Sequence, residues 1–202
     1  APPGWCAAPA AGPAGAFLPG TTVTALRREV AVFQVSTPVT VIQELEIARR
    51  MPNNAADLLR EEPGVDVNGV GVNQARPVIR GQRGLRILFM EDGLRMNNAR
   101  RQTDFGELSA LVDIDDVSSV EVVRGPTANV YGSGAIGGLV AFRTKDADDI
   151  LKAGERFATE VSGMAGSNSD RGLGTAFIAG KPTQYVDYIF GGTYRTQGDY
   201  RG

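Results

Sequence analysis

Hydrophobic positions in this chain follow two patterns, which meet near Lys145. Before Lys145, apolar residues gather in short runs bounded by Gly, Pro, Asn or Asp, as buried strands do. The predicted strands are 39–42 (VTVI), 65–67 (VDV), 77–80 (PVIR), 86–90 (RILFM), 119–123 (SVEVV) and 139–144 (LVAFRT). After Lys145 the period becomes two. Phe157, Thr159 and Val161 alternate with Ala158, Glu160 and Ser162, and Leu173, Thr175 and Phe177 with Gly174, Ala176 and Ile178. Val186, Tyr188 and Phe190 face one side, and Asp187, Gly191, Thr193 and Arg195 the other. Alternating runs of about ten residues suit either membrane-spanning barrel strands or a meander in a soluble domain. Their turns are expected at 167–171 and 180–182.

The punctuation between strands is equally readable. Residues 44–50 form one or two helical turns, stopped by Pro52, whose ring clashes with a continuing helix. Asn53 is placed to cap a second helix through Glu61, with Leu58 and Leu59 as its apolar contacts and Pro63-Gly64 as its end. Residues 68–76 read as a glycine-interrupted loop, and Gly81 closes the strand after it. Asp92-Gly93 predicts a tight hairpin turn into 94–96. At Arg124, Gly125 and Pro126 a strand must stop, because proline lacks a donor. A short helical segment to Tyr131 follows, and then Gly132, Gly134, Gly137 and Gly138, which allow a tight return into the next strand. Residues 146–154 read as a polar linker.

Composition narrows the chemistry. The chain has 202 residues, formal net charge −2, no histidine and one cysteine, Cys6. That balance offers no clustered basic surface for nucleic acid. Without histidine the commonest general base and the commonest metal ligand are missing. Gly132, Gly134 and Gly137 spell GxGxxG, but they neither follow a strand directly nor open a helix, so no nucleotide site is assigned. Asp113, Asp115 and Asp116 lack the glycine and distal glutamate of a calcium loop, and fit the first turn of a helix instead. No catalytic residue, metal or cofactor is predicted. Residues 1–20 are rich in Ala, Pro and Gly without periodicity and read as a flexible tail or as the remnant of a signal peptide.

The run VEVVRGPTANVYGSGAIGGLVAFRT resembles the late segment of the plug domain of TonB-dependent outer-membrane receptors. NNAADLLREEPGVDV, IRG and LFMEDGLRMN resemble its earlier motifs in order and spacing. TTVTALRRE is similar to the TonB box, an extended peptide that adds as a strand to an energising partner. The resemblance implies an α+β plug domain, a small mixed sheet with short helices, followed by the first antiparallel strands of a transmembrane β-barrel. The expected divisions are a flexible segment at 1–34, the plug at 35–145, and a linker with about three strands at 146–202. A barrel of about 22 strands closes such receptors, so the chain is expected to be a fragment.

By the same resemblance, Thr21, Thr22, Val23, Thr24 and Ala25 meet a TonB-type protein. Arg80 and Arg124 latch the plug to glutamates of the barrel wall. Asn73, Gln74, Arg76, Asn97, Asn98, Arg100, Arg101 and Phe105 face the ligand, or else belong to solvated loops. Gly81, Asp92, Gly93, Gly125, Pro126, Gly132, Gly137 and Gly138 shape turns. Tyr185, Tyr188 and Tyr194 are candidates for an interfacial aromatic girdle. The implied function is capture of a bulky nutrient (iron-siderophore, haem or cobalamin) at the outer membrane, amid its lipid and without covalent chemistry. The alternative is a soluble periplasmic β/α module that binds or signals to other proteins.

Overall fold

The computed structural model describes residues 21–22, 30–31, 35–69, 75–96, 111–166, 171–183, 185–196 and 198. In chain order the strands are β1 (Thr21–Thr22), β2 (Val30–Ala31), β3 (Val39–Gln43), β4 (Val65–Asn68), β5 (Arg76–Ile79) and β6 (Ile87–Glu91). They continue as β7 (Leu94–Arg95), β8 (Val117–Arg124), β9 (Gly138–Thr144), β10 (Phe157–Gly166), β11 (Arg171–Thr183) and β12 (Val186–Thr196). The helices are α1 (Glu44–Arg50), α2 (Ala55–Leu58), α3 (Ala128–Tyr131) and α4 (Ala147–Ile150). Short 3-10 turns occupy Leu59–Glu61, Gly84–Arg86 and Ile114–Asp116.

A five-stranded sheet in the order β3-β8-β9-β6-β7 holds the core. It is mixed, as expected: β6 and β9 run parallel and the other neighbours antiparallel. Its central strands are covered on both faces, which is why they read as apolar runs rather than alternations. On one face Ile47 of α1 and Leu58 of α2 pack with Ile42, Val120, Val122, Val140 and Phe142. On the other, Val39, Leu88, Met90, Val123 and Leu139 meet Ala135 and Tyr131. Gly138 must be small, since a Cβ there would lie 2.5 Å from the Val123 carbonyl oxygen. The Phe89 and Phe142 rings stack with centroids 6.4 Å apart.

Local chemistry explains the turns. Asp92 (φ 47°) and Gly93 (φ 79°) join β6 to β7 in a two-residue hairpin turn with both φ values positive. Arg80 (φ 49°) and Gly81 (φ 77°) make a second such turn, closed by paired backbone bonds between Ile79 and Gln82. The helix cap sits one residue later than expected. Asn54, not Asn53, is extended and accepts from the Asp57 amide at 2.7 Å, while Asn53 bonds the Asp57 carboxylate. Asn68 and Arg76 are not loop residues: they pair with each other in β4 and β5.

The second sheet, β10-β11-β12, is antiparallel throughout. Two expectations for this half are corrected. The stretch after Lys145 is no plain linker, because Asp146 and Asp149 form a capping box that starts α4. Residues 180–182 are no turn either. They lie inside β11, which carries a bulge between Gly180 and Thr183, and the chain reverses afterwards, before Val186.

Candidate functional site

The two sheets meet through charged groups, and Lys145 is the most enclosed of these. It follows β9, with its side chain 8% exposed. Its Nζ donates to Glu44 Oε1 of α1 at 2.6 Å and to Glu160 Oε1 of β10 at 2.9 Å. The same ammonium lies 4.8 Å from the centroid of the Phe177 ring of β11, near enough for a cation–π contact. Burial works against its charge, but the two glutamates outweigh burial and leave its pKa raised. Burial and the charges of Asp113 and Asp115 also raise the Asp116 carboxyl, against the pull of Lys145.

Other groups of the second sheet also reach the first unit. Lys181 holds Asp148 of α4 at 2.7 Å. Arg195 bonds Asp113 at 3.1 Å and also Asp115, and Arg171 bonds Asn53 and, at 3.3 Å, the Pro52 carbonyl. Asp113 and Asp115 thus serve as an ion-pair partner as well as a local cap, since Asp113 also accepts from the Asp115 amide. Between α1 and the inner face of β10 and β11 lies a cavity of about 270 Å³, bordered by Ile47, Met51, Lys145, Glu160, Ser162 and Thr175. Sequence reasoning found none of these pairings. The inward parity of Glu160 and Arg195 was visible in the alternation, but their partners stand far away in sequence.

The two motif arginines behave differently from each other. Arg124 ends β8 with its side chain 13% exposed; its Nη1 donates to the Pro63 carbonyl at 3.0 Å and lies 3.9 Å from Glu62. Glu62 is buried and also takes Arg50 at 2.9 Å, so one carboxylate joins two guanidinium groups. Arg80 is exposed and makes no ion pair with a described carboxylate; its Nη1 lies 3.6 Å from where a Gly125 Cβ would be. The Arg80 amide donates to the Gly64 carbonyl at 3.0 Å, which puts both arginines beside the Pro63-Gly64 corner.

Of the other predicted residues, Arg76 lies in β5 with a buried, unbonded Nε. Thr21 and Thr22 pair antiparallel with Ala31 and Val30. Val23, Thr24, Ala25, Asn73, Gln74, Asn97, Asn98, Arg100, Arg101 and Phe105 lie outside the described residues. Gly125 (φ 138°) and Gly132 (φ 79°) bracket Pro126 and α3, and a Cβ on Gly137 would collide with Gln82.

The outer face of the second sheet is apolar. Phe157, Val161, Ile178, Val186, Phe190 and Tyr194 are exposed on it. Tyr188 lies across Gly180 on the same face, next to Phe190. An uncovered sheet face of this size marks contact with lipid or with another protein, and its alternation with an inward polar set matches barrel strands. Among the described residues no helix is long and apolar enough to cross a membrane, which says nothing about crossing by strands.

Known proteins match this arrangement. Residues 31–139 match the TonB-dependent Receptor Plug Domain. A hemin receptor of Yersinia pestis is 35% identical over 181 residues, covering 89% of this chain and 26% of the relative. A heme/hemopexin utilization protein C of Haemophilus influenzae is 36% identical over 115 residues, 55% of this chain and 15% of that protein. Among solved structures, the Pseudomonas aeruginosa receptor FpvA bound to a pyoverdine–iron complex superposes with TM-score 0.73 at 24% identity, over 91% of this chain and 23% of FpvA. The Serratia marcescens hemophore receptor HasR superposes with TM-score 0.70 at 25% identity, over 84% of this chain and 26% of HasR. The chain thus spans about a quarter of the length of the hemin receptor it matches. Its five-stranded mixed sheet, its glycine-rich return into β9 and the three wall strands that follow are those of the TonB-dependent receptor family, to which this chain belongs.

Proposed function

We propose that the protein containing this chain captures haem, or a comparable bulky iron chelate, at the outer membrane and admits it by rearranging the plug. The observation that carries the choice of haem is the 35% identity to hemin receptors of two Yersinia species, over 181 residues that include both plug and wall strands. The family's place in the outer membrane agrees with the apolar outer face of β10–β12. The relatives are named as receptors and a utilization protein, none as an enzyme. A soluble periplasmic module is not favoured.

Within this reading, residues 35–145 are the plug and 146–202 lead into and form the first wall strands. Thr21–Ala25 are the strand offered to a TonB-type energising protein. Arg80, exposed and free of a described carboxylate, is the better placed of the two latch arginines to take a wall glutamate, whereas Arg124 already has Glu62 beside it. The ligand-facing set is Asn73, Gln74, Asn97, Asn98, Arg100, Arg101 and Phe105; Arg76 leaves it, because it lies in β5 with a buried Nε.

The test is titration of the detergent-purified full-length receptor with haemin, followed by its visible absorption and in competition with a ferric siderophore. Saturable haemin binding that the siderophore does not displace is expected. Binding of the siderophore alone overturns the haem assignment.

A further inference from the structure

We propose that Lys145 is a pin that holds the start of α1 to the barrel wall and marks where movement of the plug stops. This rests on the receptor reading above. The pin is separate from the two motif arginines, because it stands at the other end of the sheet. Arg124 pairs with Gly138 and Val39 with Val123 at one end, while Val117 pairs with Thr144 and Gln43 with Ser119 at the opposite end, beside Lys145.

A pull on the plug travels along the chain in a set order. β3 is an edge strand, paired among the described strands with β8 alone, and it is the first strand of the sheet met from the N-terminal segment. Force entering through that segment therefore reaches Val39 first and strips β3 from its free end. The residue after β3 is Glu44, and there the chain is tied to the wall through Lys145. Lys145 binds it at 2.6 Å, and the same ammonium binds Glu160 of the wall at 2.9 Å. A charge-assisted bond from an enclosed ammonium resists more than a neutral one. The Phe177 ring lies against one side of the ammonium, its centroid 4.8 Å away.

The pin also borders the cavity of about 270 Å³ between α1 and β10–β11. Without the ammonium, Glu44 and Glu160 lose the cation they share, and like charge is left on both sides of the seam between α1 and the wall. The hydroxyls of Ser162 and Thr175, bonded to each other on the cavity wall, then gain access to the space that β3 and α1 vacate. Loss of Lys145 thus does more than remove a contact: it turns a closed seam into an opening one.

The test uses the full-length receptor in lipid, pulled singly by its N-terminal segment. The wild type and Lys145→Arg are expected to show a force barrier after β3 is released. In Lys145→Met that barrier is lost, and α1 leaves in the same step as β3. The exchanged pair Lys145→Glu with Glu160→Lys regains it, which separates direct pairing from a general folding defect. An unchanged barrier in Lys145→Met, or an exchanged pair no better than either single change, overturns the pin. Haemin binding and bilayer insertion of the same wild-type preparation separate the two readings. If both are present and the barrier ignores Lys145, the pin alone falls; if both are absent, the receptor reading falls and takes the pin with it.

Discussion

The five-stranded sheet and the three-stranded sheet use the same apolar residue types for opposite environments. In the first, Val120, Val122, Val123, Leu139 and Val140 are fully buried, and both faces of the sheet meet protein. In the second, Val161 is 78% exposed and Phe190 68%, while Phe177 and Ala179 on the other face are buried. The first sheet has both of its faces covered within its own unit. The outer face of the second is left bare by the described residues, as the lipid-facing side of a barrel wall is. The contrast teaches that the period of the apolar pattern, not the amount of apolar residue, tells whether a sheet is covered on one face or on both.

The sharpest way to break this comparison is to truncate one large side chain on each sheet. Phe142→Ala removes a ring 2% exposed and is expected to lower plug stability by about 3–5 kcal/mol. Amide hydrogen exchange of β8 and β9 in the full-length receptor reads the loss. Phe190→Ala should leave those amides protected as before. Deprotection by both changes would mean that the sheets do not stand on separate cores.

A smaller effect of opposite location follows from the outer face. Val161→Arg is expected to weaken insertion of the barrel by about 2–4 kcal/mol if the position sits at mid-depth, and less toward either interface. Folding into lipid vesicles against urea measures it, with β8 and β9 exchange as the internal reference. If the plug loses protection while insertion stays intact, the face of Val161 has been assigned to the wrong side.

The smallest change is a titration at the seam. Lys145 has a pKa raised above the usual 10.5, with Glu44 on α1, Glu160 on β10, Phe177 on β11 and Asp116 near it. A raised lysine contributes its full stability below the unfolded value and loses it as pH climbs through the folded one. The distance between spin labels at Arg49 and Phe157 should therefore hold steady up to about 10.5, and lengthen only in stronger alkali. Lys145→Arg should remove the lengthening, since arginine keeps its proton there. Lengthening that begins in acid would point to the carboxylates instead.

Much of the fold was legible, and the misses have physical causes. Asn53 and Asn54 offer the same capping chemistry, and only the extended backbone at Asn54 selects it. The Asp146 and Asp149 box is a local signal that precedes too short an apolar stretch to stand out as a helix. At 180–182, Gly and Pro read as a turn, but pairing with β10 and β12 on both sides carries the strand past Gly180 into a bulge. The Arg124 position was legible while its described neighbours, Glu62 and the Pro63 carbonyl, were not.

Neighbouring residues alone place most of the strands, separate the apolar runs before Lys145 from the alternation after it, and mark the Asp92-Gly93 turn and the stop at Arg124, Gly125 and Pro126. Those features depend on residues within a few positions of one another. It takes the packed sheets to set β6 parallel to β9, to bring Arg195 to Asp113 and to place Lys145 between Glu44 and Glu160. A charge pairs with whatever the packed backbones bring within about 3 Å of it, and that proximity is set by the whole sheet order rather than by any local run of residues.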